Sequence, residues 1–165
     1  MLDGWRFCPR CAETLTVAAN VVRCRRCDFA HWAGSVPGVE AICVDERGRV
    51  LLGRRAYDPA AGLWDLPGGF LEEGEEPLTG LRREVLEETA LEVEPQRLLG
   101  LYLEPYAGRI VLCLTWVAAV SSGAERAGDD LAELAWFAAD ELPRADELAF
   151  SHYVAALSAW RDEHA

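Results

Sequence analysis

The sequence predicts an α/β chain in which a mixed sheet lies between helix layers, preceded by a small four-cysteine module. Three observations support this reading. Two Cys-x-x-Cys pairs are confined to the first 34 residues. Several short apolar, β-branched runs flank one acid-rich helical segment. A second helical pattern closes the chain, and helices placed among strands in this way cover the faces of a sheet.

The 165 residues suffice for one core and a small appendage. A hydrophobic fraction of 51% with 27% charged residues is that of a globular, water-soluble chain. The start, Met1-Leu2-Asp3-Gly4-Trp5, lacks the basic and then apolar order of a signal peptide. The longest apolar run, 110–120, is far shorter than the roughly 20 residues of a spanning helix. A cytoplasmic protein with no membrane partner is therefore expected. The net charge of −12 opposes a duplex-binding surface, because phosphate backbones are held by basic patches, so no nucleic-acid partner is expected. Lys is absent, which leaves arginine to carry all the positive charge.

That charge is unevenly divided. Residues 1–34 hold five Arg against Asp3, Glu13 and Asp28, a balance of +2, so residues 35–165 carry all of the acidic excess. The break coincides with Gly34-Ser35-Val36-Pro37-Gly38, whose Gly and Pro mark a boundary between a module at 1–34 and a domain at 35–165. The slight positive charge of the module, with Arg25 and Arg26, suits docking on the acidic domain or on a second subunit, as in a homodimer; basic residues that simply face solvent are the plain alternative.

Within the module, Cys8 and Cys11 form one pair, Cys24 and Cys27 the other, with twelve residues between the pairs. Each pair can turn as a tight knuckle with both sulfurs aimed at one centre, and two knuckles supply the four thiolates of a closed tetrahedral zinc site. The spacing is tighter than the usual ribbon range. Leu15-Thr16-Val17 and Val21-Val22 read as the hairpin between the knuckles. Two disulfides, a dithiol redox pair and a rubredoxin-type iron site are the alternatives; a cytosolic setting disfavours the first. A saturated site has no open position, which makes its expected role structural. His31 is read as a surface or linker histidine. Cys43 and Cys113 lie in apolar strand-like runs and are read as buried filler.

Residues 39–44 and 50–55 read as strands joined across 45–48, a loop containing Gly48. Trp64 to Gly69 then turns the chain, with Gly68 and Gly69 permitting close backbone approach. Pro77 suits the first turn of a helix, from which Leu78, Leu81, Val85 and Thr89 form a packing stripe. Gly80 costs that helix about 1 kcal/mol relative to Ala and either clears room for a ligand or is merely tolerated. Residues 97–103 and 110–120 read as strands, the second apolar enough to be covered on both faces. Leu134-Ala135-Trp136-Phe137 reads as a closing strand, and Phe150, Tyr153, Val154, Leu157 and Trp160 as the stripe of a last helix.

The chemistry is concentrated in the first helix. Glu84, Glu87 and Glu88 stand at i, i+3 and i+4, so three acids share a face. Their mutual repulsion is offset by a cation, and oxygen ligands of this kind select a hard ion, Mg²⁺ or Mn²⁺. A solvated acidic face is the plain alternative. The full string runs from Gly69 through five residues to Glu75, then seven residues to Arg83-Glu84-Val85-Leu86-Glu87-Glu88-Thr89-Ala90-Leu91. It resembles the signature of the Nudix hydrolases, departing only at Ala90, where that family carries Gly.

The resemblance implies an α/β/α sandwich and a pyrophosphohydrolase acting on nucleoside diphosphates linked to another moiety. It also implies Mg²⁺ held by Glu84, Glu87 and Glu88 with a backbone oxygen from the Gly69 region, Arg83 orienting the carboxylates, and Glu75 behind them. The general base is either Glu84 or an acid between Glu125 and Glu133. Either Arg54 or Arg55, at the strand end, meets the phosphates of a small-molecule substrate, or both only face solvent. A zinc ribbon before such a domain is similar to NADH pyrophosphatases, but the Pro/Trp/Phe-rich element those enzymes carry after the motif is absent at 92–108. Pro105 resembles a marker of ADP-ribose pyrophosphatases and Tyr106 one of dinucleoside polyphosphate hydrolases, and ADP-ribose-like substrates are favoured. A nucleotide sensor without catalysis, acting through its ribbon, is the reading from a different class.

Overall fold

The computed structural model describes Leu2 and residues 4–163. Residues 15–32 form a three-stranded antiparallel sheet, β1 (Leu15–Ala18), β2 (Val21–Cys24) and β3 (Ala30–Trp32), in that order. The first two strands are the expected hairpin. The third was not foreseen, because three residues between Phe29 and Ala33 are too few to carry a readable alternation. It includes His31, which is exposed, as the surface reading expected, and stacks its ring on Trp5 at 4.7 Å, so it lies in a strand and not in a linker. The core of this segment is small: Leu2, Cys8, Leu15 and Val22.

A second, seven-stranded sheet begins at β4 (Val36–Val44), so Pro37 and Gly38 lie inside a strand. It continues through β5 (Val50–Arg55), β6 (Trp64–Asp65), β7 (Gly68–Phe70), β8 (Leu91–Tyr106), β9 (Arg109–Gly123) and β10 (Leu131–Phe137). The strand path is β10-β5-β4-β9-β8, with β6 beside β5 and β7 beside β4. Only β4 and β9 run parallel, so the sheet is mixed, as expected.

Alternation along β4 assigns the two layers. Val39, Ala41 and Cys43 pack with Leu81 and Val85 of α1 (Pro77–Thr89). Ile42 faces the other way and packs with Ala156, Leu157 and Trp160 of α2 (Tyr153–Asp162). Each fully buried aliphatic side chain of this kind is worth roughly 1.5–3 kcal/mol, so the two layers lock the sheet between them. Cys43 is buried core, as read from sequence.

Strands expected at 97–103 and 110–120 are parts of a longer antiparallel pair running from Leu91 opposite Gly123 to Tyr106 opposite Arg109. Three register shifts in β8, one beside Pro95, break the alternation that would have revealed its length. The centre of β9 is covered, but Ile110 remains 44% exposed. The last helix is shorter than its predicted stripe: Phe150 lies in the turn before it and Val154 is exposed.

α1 starts as its sequence dictates, with Pro77 in the first turn and the Glu76 carboxylate accepting from the N–H groups of Leu78 and Thr79 at 2.9 and 3.0 Å. It ends at Ala90 in the left-handed conformation, φ 58°, whose N–H reaches Leu86 O. That conformation costs a non-glycine residue about 1 kcal/mol. Gly80 serves packing: a Cβ there would lie 2.5 Å from Leu71 Cδ2. Among the described residues no helix is long and apolar enough to cross a membrane.

Candidate active site

β7 brings Gly68 and Gly69 against the acidic face of α1. The Glu84 carboxylate lies directly on Gly69, where a Cβ would come within 2.5 Å of Glu84 Cδ, so glycine is required for the approach. Glu88 is buried, and its Oε2 accepts the Gly68 N–H at 2.9 Å. Arg83 joins the remaining acids: Nε and Nη2 donate to the two oxygens of Glu75 at 2.9 and 2.8 Å, and Nη1 donates to Glu84 Oε1 at 2.8 Å and to Glu87 Oε2 at 3.3 Å. Glu75 thus anchors Arg83 and does not line the cavity. Glu87 is exposed and stands at its rim, outside the lining.

Beside these acids opens a cavity of about 300 Å³. Eight carboxylates line it, against Arg55, Arg83 and His152. Burial, reinforced by Asp65, Glu84 and Asp130 and only partly relieved by the Gly68 N–H, pushes the Glu88 carboxyl up to about 8. Burial also raises Glu84, although Arg83 pulls the other way. Clustered carboxylates that outnumber the cationic side chains beside them fit a hard divalent cation.

The loop at 124–130 crosses the end of α1. Arg126 and Gly128 donate their N–H groups to Thr89 O and Glu88 O at 2.8 and 2.9 Å, closing the helix carbonyls. A Cβ on Gly128 would lie 2.7 Å from Glu87 O, so this contact too requires glycine. The crossing delivers Asp129 and Asp130 to the cavity, both within the stretch read from sequence as a source of the base.

The two arginines named for phosphate contact part company. Arg55 is buried at the cavity wall, with Nη1 2.5 Å from Asp65 Oδ2 and Nε 2.7 Å from Pro59 O. Asp65, raised by burial despite Tyr153 and Arg55, also accepts the Tyr153 hydroxyl at 2.5 Å. Arg54 does not line the cavity: it is held on the surface by Glu133 at 3.1 Å and Gly62 O at 2.8 Å, over the Trp64 ring.

Sequence reasoning missed the opposite wall. Glu40, Glu104 and His152 are all buried there, the imidazole between the two carboxylates: Nδ1 is 3.0 Å from Glu104 Oε2 and Nε2 2.9 Å from Glu40 Oε1. Burial alone would lower the histidine pKa, but Cys113, Glu40 and Glu104 outweigh it and push it up to about 10. Cys113 lines this wall, so it is not mere filler. One signal was available, a single acid inside the otherwise apolar run of β4. Nothing in the sequence pairs it with His152, 112 residues away. Tyr106 packs edge-on to Phe70 and tilted to Phe150, each at 5.7 Å, along the cavity mouth.

In the first module the four cysteine sulfurs converge. Cys8 Sγ is 3.6 Å from Cys27 Sγ, and Cys11 Sγ lies 3.5 Å from Cys24 and 3.7 Å from Cys27. These separations exclude S–S bonds, and all six cysteines are free. A tetrahedron with 2.3 Å metal–sulfur bonds has edges of about 3.8 Å, so the cluster fits one ion. Backbone N–H groups of Arg26 and Cys27 each point at Cys24 Sγ at 3.4 Å, as a knuckle requires.

Comparison with known proteins agrees with this geometry. An ADP-ribose pyrophosphatase of Methanocaldococcus jannaschii is 34% identical over 126 residues, 75% of this chain and 70% of that protein. A MutT-like protein of Streptomyces ambofaciens is 39% identical over 104 residues, 63% of this chain and 64% of its own length. An NAD-capped RNA hydrolase NudC of Vibrio vulnificus is 28% identical across 87% of this chain, which spans only 54% of that protein. A NUDIX hydrolase from Nitrosomonas europaea superposes with a TM-score of 0.81 over 96% of this chain and 91% of its own, at 26% identity. Residues 34–157 match the NUDIX domain. The chain belongs to the NUDIX family.

Proposed function

We propose that this protein is a divalent-cation-dependent pyrophosphohydrolase that cleaves the diphosphate linkage of a nucleoside diphosphate derivative, with an ADP-ribose-like compound as the favoured substrate. One observation carries the reading: eight carboxylates against three cationic side chains in one cavity. Such a field repels a diphosphate, and an anionic substrate enters only together with cations. Glu84 and Glu88, with Glu87 at the rim and backbone oxygen from the Gly69 region, would hold them. A divalent ion such as Mg²⁺, if held there, would supply charge to neutralise phosphoryl oxygens and to acidify a bound water. Arg83 would keep Glu84 and Glu87 aligned and Gly68 would hold Glu88, while either Glu84 or an acid of the 124–130 crossing, Asp129 or Asp130, would take the proton of the attacking water, a role that their lining of the cavity supports. Arg55 is the basic side chain positioned to meet a phosphate at the cavity wall.

ADP-ribose is favoured because the ADP-ribose pyrophosphatase relative aligns over three quarters of the chain. A dinucleotide pyrophosphatase acting on NADH is the second reading, supported by the similarity to NudC across 87% of the chain. We assign residues 1–34 to a structural zinc ribbon, with Cys8, Cys11, Cys24 and Cys27 as ligands, and 35–165 to the catalytic domain. The deciding experiment supplies ADP-ribose, NADH, FAD, dinucleoside polyphosphates and dNTPs with Mg²⁺ and follows the products. AMP and ribose 5-phosphate from ADP-ribose are expected. Release of nothing from any of them, with Mg²⁺ or Mn²⁺, while nucleotide still binds, identifies a sensor and overturns the reading.

A further inference from the structure

A second set of ligand-type side chains meets on the cavity wall opposite α1. Glu40 on β4, Cys113 on β9 and His152 just before α2 are all buried, and one ligand atom from each lies within 4.8 Å of the others. The parallel β4–β9 pairing sets the first two side by side, with Gly38 opposite Cys113 and Glu40 opposite Thr115. The Cys113 sulfur and a His152 ring nitrogen are among these atoms, within 4.8 Å of each other.

The surroundings of these three residues give the ring nitrogens different tasks. Nδ1 is taken by Glu104, whose Oε2 also accepts the Ser151 hydroxyl at 3.0 Å. That leaves Nε2 turned toward Glu40, and the Thr115 hydroxyl donates to Glu40 Oε1, the same oxygen that faces Nε2. A histidine that gives one ring N–H to a carboxylate and turns its other nitrogen to a second carboxylate, with a thiol within 4.8 Å, has the orientation of metal-ligating histidines. The donor set differs from that of α1. Oxygen-only acids select hard ions, whereas thiolate, imidazole and carboxylate together suit a borderline-soft ion with three protein ligands and one open position. All three residues line the cavity, so the open position faces it.

We propose that Glu40, Cys113 and His152 form a site for a divalent cation of the zinc class (Zn²⁺, Co²⁺ or Fe²⁺), separate from the α1 acids, with Glu104 as the outer carboxylate that orients His152. Two protons, one from Nε2 and one from the thiol, leave to solvent as the ion enters. This assignment does not rest on the hydrolase reading.

The test uses the full-length protein with its cysteine ribbon already loaded with zinc, in excess Mg²⁺ to occupy the hard-ion acids, titrated with Co²⁺. The wild type is expected to take up about one further Co²⁺ per chain and to develop the near-ultraviolet absorption of a sulfur–cobalt bond. Cys113→Ser should lose both while keeping the ribbon metal, and Glu104→Gln should weaken uptake by about 10–100-fold by giving Nδ1–H a neutral acceptor in place of a charged one. No sulfur–cobalt absorption in the wild type, or the same absorption in Cys113→Ser, overturns the proposal and leaves the cluster as an imidazolium clasped by two carboxylates. Since the wild-type titration decides by itself, a variant that fails to fold does not spare the proposal.

Discussion

Arg83 grips Glu75 along one edge of its guanidinium, with Nε and Nη2 donating to Oε1 and Oε2 at 2.9 and 2.8 Å, and turns its other nitrogen to Glu84 and Glu87. A fork held on one side presents the other in a defined direction, which a lysine in this place would not do. The pair joins the loop before α1 to the middle of the helix and keeps the acids in register while like charges push them apart.

The same pair sets a pH dependence. Bonding to Arg83 holds the Glu75 carboxyl at about 2, below its ordinary 4.5. A depressed folded-state pKa contributes stability that is present above the unfolded value and is lost as pH falls toward the folded one. Glu75→Gln should therefore be less stable than wild type at neutral pH, and the gap should close as pH drops below 4.5. Urea unfolding of both proteins across that range measures it, and a gap that stays constant with pH would break the link.

Glu88 has the opposite sign. Its carboxyl is raised to about 8 from 4.5, so in metal-free protein its contribution is present below 4.5 and lost as pH rises through 8. Glu88→Gln keeps an oxygen for the Gly68 N–H but carries no charge. The metal-free variant should melt at or above the wild-type temperature at pH 8, gain less from Mg²⁺, and turn over about 100-fold more slowly or worse, the scale of losing one charge-stabilising group. Glu87→Gln should lose activity too. Near-normal turnover in both would refute the metal assignment.

Ala90→Gly should stabilise the protein by about 1 kcal/mol, since glycine adopts the left-handed helix end without the steric cost that alanine meets. A melting temperature about 2–4 °C higher is the expected shift for a domain of this size. An unchanged or lower value would mean that the strain is relieved elsewhere.

For the ribbon, atomic spectroscopy should find about one zinc per chain bound by the four cysteines, before any cobalt is added. Because four buried residues are too little core to fold alone, chelation should unfold it. Removing residues 1–34 should lower stability or dissociate a dimer yet leave hydrolysis measurable. A folded truncated protein, unchanged in oligomeric state, that hydrolyses nothing would place the ribbon in the substrate pocket.

Local chemistry determined a good part of this protein from sequence alone. Pro77, the apolar stripe of Leu81 and Val85, and the i, i+3, i+4 acids are short-range patterns, and a helix displays them wherever it lies. The paired Cys-x-x-Cys turns likewise announce a common centre before any fold is known. The sequence did not disclose which residues share the cavity. Only tertiary structure set Arg55 into its wall while leaving Arg54 on the surface, because alternation along a strand sends neighbours to opposite sides and the choice depends on which side is covered. It also brought Asp129 and Asp130 to α1, through backbone bonds from a loop with no periodicity to read. Glu40, Glu104, Cys113 and His152 come from β4, β8, β9 and the approach to α2. They meet because strands distant in sequence pair side by side, and that pairing follows from burying both faces of the sheet at once, a property of the whole chain and of no segment within it.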